Sequence, residues 1–349
     1  MDIIPDQDLQ SMNTLAVPAR AARYVRVSGE AALRRALEFA EEQQLPLLVL
    51  GGGSNVVLPE RFAGLVVQVA IKGIEVIRED DEYAWIRAGA GEVWQDLVEF
   101  SLQRNYYGLE NLSLIPGTVG AAPIQNIGAY GRELDSVFES LTAVGRDDLR
   151  QHAFDAAACA FRYRDSVFKH RLRDAMVITR VTLRLRKHGS LNISYAPLRE
   201  ALSEIPEDAL TPRKVSDAVI AIRRSKLPDP ARIPNAGSFF KNPVVSLEKL
   251  AELQRTWPDI VSYPFEEDTA KLAAGWLLEK AGWRGHRQDG VGMHAQQALV
   301  LVNPGHRSGE RVLDYAARIR EDIANRFGVA LEREPVAYVS QTEREKRRT

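Results

Sequence analysis

The chain has 349 residues, with 46 basic and 47 acidic side chains and a formal net charge of −1. This length predicts two or three domains, and the balanced charge argues against nucleic-acid binding, which requires a clustered basic excess. The single cysteine, Cys159, excludes an internal disulfide and zinc sites built from several cysteines. We find neither a secretory signal nor a window of the ~20 apolar residues that a membrane-spanning helix needs. We therefore expect a cytoplasmic protein that does not bind a membrane.

The section 17–187 mixes short strands and helices. Leu33, Ala36, Leu37 and Ala40 recur at helical spacing and predict a helix over 31–44. The apolar run 45–50 ends in glycines, which is typical of a buried strand that leads into a loop. Spacing also predicts a helix over 91–104 and strands over 65–69, 83–87 and 177–186. We expect this section to form one domain with two subdomains.

The remaining chain divides into a linker, a second domain and a tail. Residues 188–212 read as a linker with a tyrosine-bearing excursion, 213–340 as a C-terminal domain, and 341–349 as a charged, solvated tail. In the C-terminal domain, periodicity predicts helices from Thr211 onward and over 247–255, 270–281 and 308–327, with strands over 298–302 and 336–339.

The first glycine segment, Leu50-Gly51-Gly52-Gly53-Ser54-Asn55, follows a predicted strand. Consecutive glycines let backbone N–H groups approach an anion closely, so a dinucleotide pyrophosphate is one natural guest and a simple tight turn is the alternative. The spacing is not that of a Rossmann fingerprint, because Val56 stands where the third glycine belongs. No G-x-x-x-x-G-K-[ST] sequence occurs, so a P-loop nucleotidase is excluded.

The second glycine segment, 115–131, concentrates glycines, small residues and two prolines. The prolines stiffen the backbone while few side chains obstruct it, which suits a flat, extended cofactor. The alternative is a long surface loop, but seventeen structureless residues in a compact domain are usually functional.

Three further segments carry candidate reactive side chains. Ser238 lies in Asn235-Ala236-Gly237-Ser238, which is too small and polar to predict a core strand and by itself favours a turn. Arg164 lies between aromatic residues and could bind a carboxylate or form a surface salt bridge. Glu332 and Glu334 flank an arginine before the last predicted strand and share one side if the segment is extended. The six histidines show no spacing that indicates a metal site.

Together these segments resemble the UDP-N-acetylenolpyruvoylglucosamine reductase family. The resemblance rests on both glycine segments and on Gly108–Leu114, Tyr163-Arg164-Asp165-Ser166, Lys226-Leu227-Pro228-Asp229-Pro230 and Asn235–Pro243. It implies an α+β chain with an FAD-binding domain of the vanillyl-alcohol-oxidase (PCMH) type, followed by a C-terminal α/β substrate-binding domain. The segment Ile193–Leu198 resembles the subtype with an extra tyrosine loop over the substrate.

The resemblance also implies a reaction and its residues. Members use FAD and NADPH to reduce an enolpyruvyl sugar nucleotide in peptidoglycan precursor synthesis. By this resemblance Ser238 donates the proton, Arg164 and Glu334 stabilise the anionic intermediate, and Tyr163, Tyr195, Lys226 and Asn242 bind the substrate. The implied cofactor-binding residues are Gly51, Gly52, Gly53, Ser54, Asn55, Pro116, Gly117, Thr118, Gly120, Ala121, Gln125, Asn126, Gly128, Ala129 and Tyr130. We expect a monomer without a metal ion; an oxygen-using flavin oxidase and a catalytically inactive sugar-nucleotide sensor are the alternatives.

Overall fold

The computed structural model describes residues 1–338 and divides into two compact units. The first unit comprises Met1–Gln7, Ala21–Gly52 and Ala63–Ser225; the second comprises Asp8–Arg20, Gly53–Phe62 and the chain from Lys226 onward. The predicted charged tail, 341–349, lies outside the described residues. Within 1–338, no helix combines the length and apolar character that crossing a membrane requires.

A four-stranded sheet lies mainly in the first unit. Its strands are, in spatial order, Ile4–Asp8, Arg20–Val27, Arg61–Val69 and Leu47–Leu50. The last two are parallel, with Leu47 opposite Leu65, so the apolar run before the glycines is a buried strand as predicted. The helix Glu30–Glu42 buries Leu33, Ala36, Leu37 and Ala40, which confirms its amphipathic pattern.

A five-stranded antiparallel sheet completes the core of the first unit. Its order is Gln151–Asp155, Phe138–Gly145, Met176–Arg186, Tyr83–Gly89 and Ile74–Glu79. The central strand Met176–Arg186 has neighbours on both sides, and both Ile178 and Thr179 are buried on it. The alternating pattern therefore predicts the strand but not that its middle is covered on both faces. The helix Trp94–Leu102 packs into the same core.

A smaller apolar cluster lies in the last part of the first unit. The helix Ala196–Ala201 contributes Leu198, the residue that follows this helix is Leu202, and the helix Pro212–Lys226 contributes Val215 and Val219. Sequence places the second of these helices at the start of the C-terminal domain, whereas all of it except Lys226 belongs to the first unit. A further short helix is Ala156–Cys159. Asp155 precedes it and caps it, because its side chain accepts a hydrogen bond from the backbone N–H of Ala158.

The second unit contains two antiparallel sheets and one parallel pair. The first sheet has the order Asn235–Ser238, Val300–Val302, Val291–Met293 and Arg287–Gln288; the second has Val244–Ser246, Thr269–Leu272 and Ser262–Pro264. Val336–Ala337 pairs in parallel with Val56–Val57. The helices are Leu247–Thr256, Ala274–Lys280 and Gly309–Phe327, and Ser308 caps the last of them as its position predicts.

Two sequence expectations in the second unit are wrong. Asn235–Ser238, which the sequence predicts as a turn, is a strand. Asn235 can be buried in it because its side-chain amide donates hydrogen bonds to the carbonyls of Pro228 and Ile233. The predicted helix 270–281 begins only at Ala274. Its first part is a strand in which Ala270 and Leu272 are buried on one face, the period-2 pattern that the helical interpretation overlooked.

Burial of Glu110 predicts a pH dependence of stability. Its carboxyl group is fully buried, one oxygen accepts from the backbone N–H of Gly108 at 2.6 Å, and the other has no partner among the described residues. Desolvation raises the pKa of Glu110. The folded state therefore loses stability as the pH rises above the unfolded value of about 4.3. We expect Glu110→Gln to gain stability relative to wild type from pH 4 to 8 in urea unfolding, and a constant difference would contradict this.

Candidate active site

The two glycine segments meet in the first unit. A Cβ atom at Gly51 would lie 2.5 Å from Oγ1 of Thr118, and one at Gly52 would lie 3.1 Å from Cα of Gly117. Glycine at both positions therefore lets the two backbones approach closely, and the Thr118 side chain occupies the space beside Gly51. The second segment is anchored by backbone hydrogen bonds from Trp94 to Gly117 and from Gly120 to Ala90.

This junction can be tested by paired substitutions. Gly51→Ala should lower flavin affinity, because its methyl group would collide with the Thr118 hydroxyl group. Gly51→Ala/Thr118→Ala removes that hydroxyl group and should recover part of the loss, a coupling of about 0.5–3 kcal/mol in a double-mutant cycle. Fluorescence titration of the apoprotein with FAD measures it. Strictly additive effects would show that the two segments do not constrain each other.

Close packing leaves no room for a side chain at other glycines of the two segments. Gly53, in the second unit, has φ +63°, and a Cβ there would lie 1.9 Å from the backbone oxygen of Met12. At Gly120 a Cβ would lie 2.5 Å from that of Ala90. Asn126 is also committed to the fold, since its buried side chain bonds Glu133, the Arg162 carbonyl and the Asp135 N–H. These three residues shape the candidate site whether or not they touch a ligand.

Arg164 is held against the second glycine segment by a tight turn. Its backbone is left-handed, with φ +54°, and Arg162 and Asp165 exchange backbone hydrogen bonds around it. Ser166 ties the turn to the segment by donating to the Ile124 carbonyl at 2.7 Å. The Arg164 guanidinium donates to the Gly128 carbonyl at 2.5 Å and lies over the Tyr163 ring. The structure thus brings together Arg164, Tyr163 and the predicted cofactor segment.

Tyr130 and Tyr195 lie edge to face, with ring centroids 5.2 Å apart. Tyr195 is 41% exposed, while burial raises the pKa of Tyr130. The segment before Tyr195 is fastened by Asn111, whose amide donates to the carbonyls of Tyr130 and Asn192. Sequence analysis missed this attachment, for which an asparagine inside Gly108–Leu114 is the only signal.

In the second unit, a backbone hydrogen bond joins Glu334 to the residue that follows Ser238. Ser238 ends its strand opposite Val300, and the next residue, Phe239, accepts the backbone N–H of Glu334 at 3.0 Å. Phe239 and Phe240 are buried. The alternative carboxylate, Glu332, comes two residues before Glu334 and instead accepts a hydrogen bond from Nζ of Lys241 at 2.5 Å. This pairing favours Glu334 over Glu332 as the partner of Ser238.

Two of the predicted substrate-binding side chains, Lys226 and Asn242, have different settings. Lys226 is exposed at the end of its helix. Oδ1 of Asn242 accepts the backbone N–H of Ala274 at 3.0 Å, which orients its amide so that Nδ2 is the donor available to a ligand. Among residues 1–338, no group of three or more His, Cys, Asp or Glu side chains is placed to hold a metal ion.

Comparison with known proteins identifies the family. Residues 21–148 match the family described as FAD binding domain, and 229–338 match the C-terminal domain of UDP-N-acetylenolpyruvoylglucosamine reductase. The chain is 50% identical over 330 residues to the UDP-N-acetylenolpyruvoylglucosamine reductase of Pseudomonas aeruginosa, covering 95% of this chain and 97% of that protein. It belongs to the UDP-N-acetylenolpyruvoylglucosamine reductase family.

Further comparisons agree with this membership. The reductase of Burkholderia multivorans is 48% identical over 338 residues, covering 96% of this chain and 97% of that protein. The crystal structure of the reductase (MurB) from Thermus caldophilus shares the fold, with a TM-score of 0.68 at 23% identity over 97% of this chain and 98% of that one. The expected FAD-binding domain followed by a reductase C-terminal domain is confirmed.

The two matched ranges divide the candidate residues unevenly. Both glycine segments fall within the FAD binding domain match, and Ser238, Asn242 and Glu334 fall within the C-terminal match. Arg164, Tyr195 and Lys226 lie between the two ranges. The tyrosine-loop subtype of the reductase family therefore stays a prediction.

Proposed function

We propose that this chain catalyses the FAD-dependent, NADPH-driven reduction of UDP-N-acetylglucosamine enolpyruvate to UDP-N-acetylmuramate. The observation that carries the proposal is the 50% identity over 95% of the chain to a reductase with this name. It is supported by the close backbone approach of the two glycine segments at Gly51 and Gly52, which fits the match to an FAD binding domain.

FAD, when bound and first reduced by NADPH, would supply the hydride that is added to the terminal carbon of the enolpyruvyl double bond. We assign the pyrophosphate of FAD to the backbone around Gly51 and Gly52. We assign the polar edge of its flavin ring to the second glycine segment, which includes Gln125. Both segments offer backbone N–H groups and short side chains, so the chain approaches a flat ligand closely.

Ser238 is the proposed proton donor to the carbon next to the carboxylate. Its hydroxyl group is a weak acid, so it needs a polar partner that relays or stabilises charge. Glu334 is suited to that role because its backbone is bonded to the residue after Ser238. The buried Phe239 and Phe240 exclude water from this strand and so strengthen the interaction.

Arg164 is the proposed electrostatic partner of the anion that forms before proton transfer. A guanidinium group is permanently charged and presents a planar fork that matches a carboxylate or enediolate. The Gly128 carbonyl and the left-handed turn hold the fork in one orientation, which limits reorganisation during the reaction.

Lys226, Asn242, Tyr163 and Tyr195 are the proposed substrate-binding residues. The Lys226 ammonium group and Asn242 Nδ2 suit the diphosphate, and the partly exposed Tyr195 suits a lid over the sugar nucleotide. We also propose that the chain acts as a monomer in the cytoplasm, that the FAD-binding domain spans 17–187, and that 188–212 forms a linker with the tyrosine loop.

Anaerobic visible spectroscopy of the purified holoprotein tests the proposal. We expect flavin bands that bleach with NADPH and return when the enolpyruvyl sugar nucleotide is added. Bleached bands that return only with oxygen, releasing peroxide, would instead indicate an oxidase. A protein without flavin bands even after incubation with FAD would refute the cofactor assignment.

A further inference from the structure

Asn111 is a buried polar side chain to which the mechanism above gives no role. It lies in the short 3-10 helix Glu110–Leu112, whose three residues are all fully buried. Ser113 follows and is buried too: its hydroxyl group donates to the Glu110 carbonyl at 2.7 Å, and its oxygen lies 2.8 Å from that of Ser216. Buried polar groups that bond one another in this way hold one conformation, so Asn111 is a rigid point of the first unit.

The Asn111 side chain joins two segments of the chain. Its Nδ2 atom donates to the Tyr130 carbonyl at 2.9 Å and to the Asn192 carbonyl at 2.8 Å. Tyr130 belongs to the second glycine segment, and Asn192 leads into Ile193–Leu198. Both amide hydrogens are therefore used, whereas Oδ1 accepts no hydrogen bond from residues 1–338. Asn111 thus holds the two segments together as a donor.

The Asn192 side chain strengthens the same junction. Its Nδ2 atom donates to the Gly131 carbonyl at 2.8 Å, and its Oδ1 atom accepts from the Ser194 hydroxyl group at 2.7 Å. The fit is close, because a Cβ atom at Gly131 would lie 3.2 Å from Oγ of Ser194. Tyr195 follows directly and packs edge to face on Tyr130. These hydrogen bonds therefore limit where the Tyr195 ring can lie.

We propose that Asn111 is a positioning residue that holds the Tyr195 segment, 192–195, against the second glycine segment and so strengthens substrate binding without touching the substrate. The proposal rests on the proposed function, in which Tyr195 covers the sugar nucleotide. A loop that is ordered before the ligand arrives does not add the entropic cost of its ordering to the binding free energy. Without the Asn111 donors the substrate itself would have to order the segment, and its affinity would fall.

Two measurements on the FAD-loaded protein test this proposal. In Asn111→Ala, hydrogen–deuterium exchange of the backbone amides of 192–195 should be faster than in wild type, because the segment opens more often. Titration calorimetry should show the enolpyruvyl substrate binding about 5- to 50-fold more weakly, the value of the two lost hydrogen bonds. Asn325→Ala, at an exposed asparagine in the second unit, is the matched control and should change neither quantity.

A double-mutant cycle shows whether Asn111 acts through Tyr195. Tyr195→Ala removes the ring that the junction positions, so adding Asn111→Ala to it should change substrate affinity by less than about 2-fold. A residue that only supported the core would weaken substrate binding equally in both backgrounds. Equal weakening therefore overturns the proposal, and so does an unchanged affinity in Asn111→Ala alone.

A variant on the other side of the junction covers the case in which Asn111→Ala does not fold. Asn192→Ala removes the bond to the Gly131 carbonyl at a half-buried position and should weaken substrate binding in the same Tyr195-dependent way. Unchanged binding in that variant would overturn the proposal. Failure of the proposed function is distinguishable, because wild-type protein would then neither bind nor reduce the enolpyruvyl substrate, while the exchange rates of 192–195 would still respond to Asn111→Ala.

Discussion

Ser238→Ala is expected to slow reduction of the enolpyruvyl substrate by ~10²–10⁴, the contribution of a positioned acid, while leaving flavin reduction by NADPH unchanged. The half-reactions separate because only the second needs a proton delivered to carbon. The strand should tolerate the change, since its register is fixed by backbone bonds and Asn235. Stopped-flow absorbance at the flavin band, with NADPH alone and then with substrate, measures both rates.

Two matched variants complete the Ser238 experiment. Ser28→Ala removes an exposed hydroxyl group in the first unit and should change neither rate. Ser238→Cys restores a dissociable proton, with an ordinary thiol pKa of about 8.5, and should recover part of the second rate. Equal slowing of both half-reactions by Ser238→Ala would show that the serine positions a ligand rather than donating the proton.

Local patterns predicted the elements whose residues face one core. The helix Glu30–Glu42 and the buried strand before Gly51 follow directly from apolar spacing. The strand Asn235–Ser238 could not be predicted in this way, because its buried polar residue, Asn235, is satisfied by hydrogen bonds to the Pro228 and Ile233 carbonyls, and apolar spacing carries no signal of that. The strand Thr269–Leu272 was predicted as the start of the following helix. Its four residues are too few for their spacing to distinguish a strand from a helix.

The candidate site shows the same division between local and long-range information. Motif resemblance marked Ser238, Arg164, Glu334 and the glycine segments, whereas residue spacing by itself left Glu332 and Glu334 equivalent. The pairing of Glu334 with Phe239 joins residues 95 positions apart, and only the fold shows it.

Arg164→Met should lower the rate of substrate reduction by ~10²–10³, the typical cost of removing one group that stabilises developing negative charge. Arg164→Lys should lower it less, because the charge remains while the planar fork is lost. Both replacements keep a Cβ at a left-handed position, so the backbone strain at φ +54° is matched between wild type and variants. Single-turnover reduction of the substrate, after complete flavin reduction by NADPH, isolates the step.

A structural effect of these changes must be separated from the electrostatic one. The Arg164 side chain also holds the Gly128 carbonyl, so its loss could loosen the cofactor segment and release flavin. Flavin content per protein, read from the ratio of visible to ultraviolet absorbance, should stay at the wild-type value in both variants. Arg162→Met changes an exposed arginine in the same turn and should leave the rate unaltered. A wild-type rate in Arg164→Met with full flavin content would remove Arg164 from the reaction.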